Sequence, residues 1–168
     1  MGRFAFVLAI AAVTMATMAF SRPAVAQEVT GLDASLSGSA VVPGPNGGDP
    51  DGSGTAHVVL VPSESKICYS LVASDIAPAT AAHIHREAAG INGPIVLELL
   101  PPPPTEGTSS EEIPRTSTEC IVVDPALLDA LLANPDGYYV DIHNDEFPNG
   151  AIRDQLAEST ESGHIIGG

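Results

Sequence analysis

Short runs in which apolar and polar residues alternate, each ended by Gly, Pro, Asn, Asp or Ser, most constrain what this chain can fold into. A period of two places every second side chain on one face of a strand, so such runs bury one face and wet the other. Gly31–Leu36, Thr55–Val61, Ile67–Ala73, Ala82–Arg86, Pro94–Leu100, Tyr138–His143 and Ile152–Leu156 qualify. Their brevity and spacing select an all-β sandwich or barrel. One short helix is expected after Cys120. There Asp124 supplies an N-cap and Pro125 suits the first helical position, and Leu127, Leu128, Leu131 and Leu132 recur on one face until Asn134-Pro135 stops them.

Between the strands, Pro43 to Gly54 is too rich in Gly and Pro for anything but a loop. Its Asp49 and Asp51 offer two carboxylates to a cation such as calcium, but their spacing matches no EF-hand. Pro101 to Pro104 enforce polyproline II and open a second long loop, expected to stand off the body as an arm as far as Cys120. Past Leu156 the sequence turns small and polar, so residues 158–168 are expected to form a flexible tail.

The amino terminus belongs to targeting rather than to the fold. Arg3 precedes an apolar run from Phe4 to Phe20, and the stretch closes on Ala24-Val25-Ala26, small residues at the two positions a signal peptidase reads. The run is short beside the roughly 20 residues of a membrane-spanning helix. Residues 1–26 are therefore expected to be a signal peptide cleaved near Ala26, followed by a domain over 27–157. No second apolar span follows, so the mature chain is expected to lack a transmembrane segment and to reside in the periplasm or outside the cell.

Export sharpens the charge argument. The full chain has 6 Lys+Arg against 21 Asp+Glu, a net −15. Loss of Arg3 and Arg22 leaves 4 basic residues (6 − 2) and a net −17, with Lys66 the one lysine. Such a chain repels phosphate backbones, and with no Trp it lacks the stacking platforms of single-strand binders, so nucleic acid is excluded as a partner. A metal cation or a basic protein surface fits the charge better. An oxidising destination also favours a disulfide between the two cysteines, Cys68 and Cys120, closing a loop of about 50 residues and stabilising by about 3–4 kcal/mol.

Chemistry concentrates on two runs. In Ala82-His83-Ile84-His85 the imidazoles lie two apart, hence on one strand face, where they can share a metal ion. In Tyr139-Val140-Asp141-Ile142-His143 alternation likewise puts Asp141 and His143 together. Were the two strands neighbours, His83, His85, His143 and Asp141 would form an N3O set suited to Zn²⁺ or Cu²⁺, with His57 a possible extra ligand by similar alternation. The competing readings are histidines that only hydrogen-bond across the sheet and orient loops such as Gly90–Pro94, or one that acts as a general acid or base. G-x-S-x-G, Walker, H-E-x-x-H and dinucleotide-binding glycine motifs are all missing, and no catalytic residue is assigned.

Together Ala82-His83-Ile84-His85, Gly90-Ile-Asn-Gly-Pro-Ile-Val96, Tyr138-Tyr-Val-Asp-Ile-His143 and Phe147-Pro-Asn-Gly-Ala-Ile-Arg-Asp-Gln-Leu156 resemble the CHRD (chordin-type) domain, which occurs widely in exported bacterial proteins. With Leu36-Ser-Gly38 and Gly54-Thr-Ala56 the resemblance spans roughly Leu32 to Leu156. It implies an immunoglobulin-like Greek-key β-sandwich or barrel similar to that of copper/zinc superoxide dismutases. The sequence departs from the family pattern at Glu87 and Asp154, where glycine is usual, so the local backbone there is in question. Arg153 and Asp141 are expected to serve in a charge-assisted pair, between strands or to a neighbouring loop, that fixes the C-terminal strand.

These observations favour a secreted, non-enzymatic CHRD-type protein that serves as an extracytoplasmic binding or structural module. The alternative is an envelope metal-binding protein that holds copper or zinc through His83, His85 and His143. A dismutase-like redox enzyme stands third, because a bimetallic site of that kind needs more imidazoles than the five in this chain, one of which, His164, lies in the tail.

Overall fold

A computed structural model of the protein describes residues 29–42, 47–104 and 115–160. The expected signal segment 1–26, His164 and the end of the expected tail lie outside these described residues. The alternating runs become strands β1 (Thr30–Ser37), β2 (Ser53–Val61), β3 (Lys66–Ser74), β4 (Ala79–Arg86), β5 (Ile95–Leu99), β7 (Tyr138–Asn144) and β8 (Ile152–Gln155). Two further strands, β6 (Arg115–Val122) and β9 (Ala157–Glu158), and one α-helix, α1 (Pro125–Ala133), complete the fold.

The strands form one antiparallel sheet in the order β5-β4-β7-β8-β1-β2-β3-β6, with β9 also on β1. It curls into a half-barrel because alternation gives it one continuous apolar face. Leu32, Leu36, Val58, Leu60, Ile67, Leu71, Ile84, Val140 and Ile142 all point to that inner face and are almost completely buried. β3 and β6 pair directly, whereas the β4–β5 hairpin between them in sequence lies at the far end of the strand order, a Greek-key connection. Among the described residues no strand pairing joins β5 to β6.

Helix α1 forms where its sequence signals place it. The Asp124 side chain accepts a hydrogen bond from the Ala126 amide at 2.9 Å, and Leu128 and Leu131 bury into the core. Cys68 and Cys120 stand opposite each other on β3 and β6 and are joined by a disulfide. That bond ties on a strand with little apolar area of its own.

Two expectations about connections are corrected. The loop expected to stand away as far as Cys120 instead re-enters the sheet as β6, because Arg115 and Ser117 turn inward and find buried acceptors. Arg115 Nη1 donates to Ile76 O at 3.0 Å, and Ser117 Oγ donates to Leu100 O at 2.7 Å. The start of the expected tail also pairs: Leu32 faces Glu158, and the Ser159 amide donates to Gly31 O. The backbone there gains ladder hydrogen bonds that a free tail would forgo.

Candidate metal centre

The outer face of β4-β7-β8 is polar in sequence yet buried in the structure. Register explains which side chains meet. His83 of β4 lies opposite Asp141 of β7, which lies opposite Arg153 of β8, while His85 lies opposite Tyr139, which lies opposite Gln155. His143 is two residues beyond Asp141 on the same face. Asp141 therefore has imidazoles across from it, diagonal to it and next along its own strand.

Loops cover this face because its side chains strap them down. His85 Nδ1 lies 2.8 Å from Gly93 O, and Tyr139 Oη accepts from the Gly93 amide at 3.1 Å. Arg153 donates to Ile91 O at 2.8 Å and to Asn92 Oδ1 at 3.0 Å, and Gln155 Nε2 donates to Glu87 O. On the other side His143 Nδ1 lies 3.0 Å from Pro148 O. The ring of Tyr139 is sandwiched, with His85 stacked on it at 4.7 Å between centroids and the Arg153 guanidinium 3.4 Å from its centroid, a cation–π contact.

The four potential ligands converge. His143 Nε2 is 3.0 Å and His83 Nδ1 3.4 Å from Asp141 Oδ1, His85 Nε2 is 3.2 Å from Oδ2, and His83 Nδ1 is 3.1 Å from His143 Nε2. One donor atom from each of the four residues falls within 4.8 Å of all the others. Tetrahedral coordination with bonds of about 2.0–2.1 Å has edges of about 3.3 Å, close to the four contacts of 3.0–3.4 Å, whereas the set as a whole extends to 4.8 Å.

Protonation sharpens the point. A carbonyl oxygen only accepts, so His85 and His143 each hold a proton on Nδ1, and in their neutral form each turns a bare Nε2 lone pair toward the carboxylate. His85 Nε2 and Asp141 Oδ1 are buried without an aligned hydrogen-bond partner. Acceptors that face one another must be reconciled by a shared cation or by added protons. Burial by itself would raise the Asp141 carboxyl, but His143, His83 and His85 outweigh it and hold the group far below the usual carboxylate range. For His143, burial would lower the pKa, yet the Asp141 carboxylate and the Pro148 carbonyl keep it above the ordinary imidazole value.

The other expected residues lie elsewhere or turn differently. His57 does not join the cluster; it pairs with Asp33 across β1 and β2 at 2.6 Å on an exposed face. Of the two arrangements expected for Arg153, the pair with Asp141 between strands is not formed and the contact to a neighbouring loop is. Although the two are register partners, Tyr139 and the loop 87–94 take up the guanidinium, and the carboxylate turns to the imidazoles. Neither Glu87 nor Asp154 has a positive φ, so neither position requires glycine here. Asp49 and Asp51 engage each other, as the Asp51 amide donates to Asp49 Oδ1.

Sequence reasoning missed Tyr139, Asn92 and Gln155 as supports. For Tyr139 a signal existed, since it shares the odd-numbered period with Asp141 and His143. For Asn92 none did, because only the folded loop brings it to Arg153.

Among known proteins, the family model of the CHRD domain matches residues 32–156. No curated protein and no solved structure matches the chain.

Proposed function

This chain belongs to the CHRD domain family, and on that scaffold we propose an exported, non-enzymatic binding module whose ligand is a transition-metal cation, Cu²⁺ or Zn²⁺. His83, His85, His143 and Asp141 hold the ion. One observation carries this reading: two of the imidazoles give their far N–H to backbone carbonyls, which aims their Nε2 lone pairs at a carboxylate with an unpartnered buried oxygen. Metal-ligating histidines are oriented by this kind of second hydrogen bond. Imidazole with one carboxylate suits Zn²⁺ and Cu²⁺ better than the all-oxygen cations. Export rests on the sequence of residues 1–26, and the Cys68–Cys120 disulfide supports it, because such bonds persist in oxidising compartments. Among the described residues no helix is long and apolar enough to cross a membrane.

The test is metal content after reconstitution and dialysis of the untagged mature protein, with isothermal titration alongside. One Cu²⁺ or Zn²⁺ per chain is expected, lost in His83→Ala while the far-UV circular dichroism stays native. Wild-type protein that retains no metal sinks the proposal.

A second reading has its own observation in the raised pKa of His143. A carboxylate beside a protonated His143 is a self-sufficient strap, with no ion. It requires the metal-free protein to be as stable as the metal-loaded one.

A further inference from the structure

The same cluster opens on one side into a cleft of about 360 Å³, toward the small end of ligand pockets, whose usual range is about 300–1,000 Å³. His85, Asp141 and His143 line it, together with Asn92, Tyr139 and Asn149. We propose, resting on the metal reading above, that the cleft is the subsite for a small carboxylate that binds the metal at a further coordination position.

Three features select that ligand class. A divalent cation with three neutral imidazoles and one aspartate retains a single positive charge, and among the described residues Asp141 is the one acidic residue of the lining. The polar lining offers donors: Tyr139 Oη accepts from Gly93 and keeps its own hydrogen to give, and Asn92 has its oxygen engaged by Arg153, which leaves its NH₂. Asn149 stands exposed at the lip with an amide of its own. An anion with one oxygen on the metal has its other oxygen for these donors, and the cleft has room for it. Both walls are built by the metal ligands themselves, since Gly93 is held by His85 and Pro148 by His143, so the cleft and the metal shell share one rigid frame.

Co²⁺ serves as a coloured substitute, because its visible bands weaken when a fifth ligand joins a four-coordinate shell. Co²⁺-loaded mature protein is titrated with acetate at constant ionic strength, and with acetamide as the neutral counterpart of equal size. A saturable change with acetate and none with acetamide is expected. Asn149→Leu, on the exposed lip, should bind Co²⁺ as tightly as wild type while holding acetate about tenfold more weakly, the size of one lost hydrogen bond to a charge. Bands insensitive to acetate, an equal response to acetamide, or an unaltered acetate affinity in Asn149→Leu each overturn the subsite and leave the metal site standing. Wild-type protein that develops no Co²⁺ bands overturns the subsite, and one that also retains no Cu²⁺ or Zn²⁺ after dialysis overturns the metal reading with it.

Discussion

Two regions on the outer face of one sheet pair an aspartate with histidine across adjacent strands, with opposite results. On β1 and β2, Asp33 and His57 meet at 2.6 Å, but their side chains keep 50% and 51% of their exposure among the described residues. On β4 and β7, Asp141 meets His83, His85 and His143 at comparable distances with only 6% of its side chain exposed. Strand geometry and residue types are shared. The difference is the cover of loops 87–94 and 144–151, which removes water and makes each polar contact count for more. A cross-strand Asp–His pair is thus a surface detail in one place and the centre of a candidate site in the other.

The sharpest way to break the contrast is Asp141→Asn. It removes the charge that the three imidazoles share, and should destabilise by about 3 kcal/mol, in the range for opening a buried ion cluster, with loss of metal uptake. Chemical denaturation of metal-free and metal-loaded protein measures both; a loss under about 0.5 kcal/mol would place Asp141 with Asp33.

Removal of the cover should come next in size. Arg153→Met keeps much of the packing on Tyr139 but frees Ile91 and Asn92, at a cost of about 2 kcal/mol. Hydrogen exchange confined to residues 87–94 should accelerate most. Unchanged protection there would show that the loop does not depend on the guanidinium.

Titration gives a milder test. His143 has a raised pKa in the fold, so in metal-free protein its contribution is fully present below the unfolded value of 6.5 and is lost as pH rises through the folded value. Metal uptake has the opposite sign, because a ligating imidazole must shed its proton, so affinity should climb across that interval. Stability of metal-free protein that rises over that interval would contradict the assignment.

The smallest effect belongs to the exposed pair. Asp33→Asn should change stability by less than about 0.5 kcal/mol. His57, with Ser159, holds the Asp33 carboxyl below its ordinary value, so what little it adds is present above the unfolded pKa of 3.8 and lost as pH falls through the lowered folded one. A penalty above 1 kcal/mol would mean, on the scale of about 0–1 for surface pairs, that exposure does not separate the two regions.

Legibility followed the same division. Alternation announced the strands that bury aliphatic side chains, and the Asp124 and Pro125 signals announced α1, because each of those elements is stabilised by residues within a few positions of one another. β6 was silent, since its inward Arg115 and Ser117 are satisfied by Ile76 and Leu100, far away in sequence. His83, His85, Asp141 and His143 were recognisable as a potential ligand set from strand period alone, but that β4 neighbours β7 was not. His57 carries the same signal and lands on β2, three places from β7 in the strand order.

By itself, then, the sequence determined an all-β chain with one helix, a CHRD-type pattern from Leu32 to Leu156 and an acidic character, since composition and short-range period are properties of local segments. Tertiary structure alone decided that three imidazoles close on one carboxylate and that Arg153 turns to Tyr139 and its loop instead of to Asp141. Convergence of that kind depends on strand order and on which loops exclude water. Both are set by contacts between residues some 60 positions apart, such as His83 with His143 and Arg153 with Asn92, and local pattern carries no trace of them.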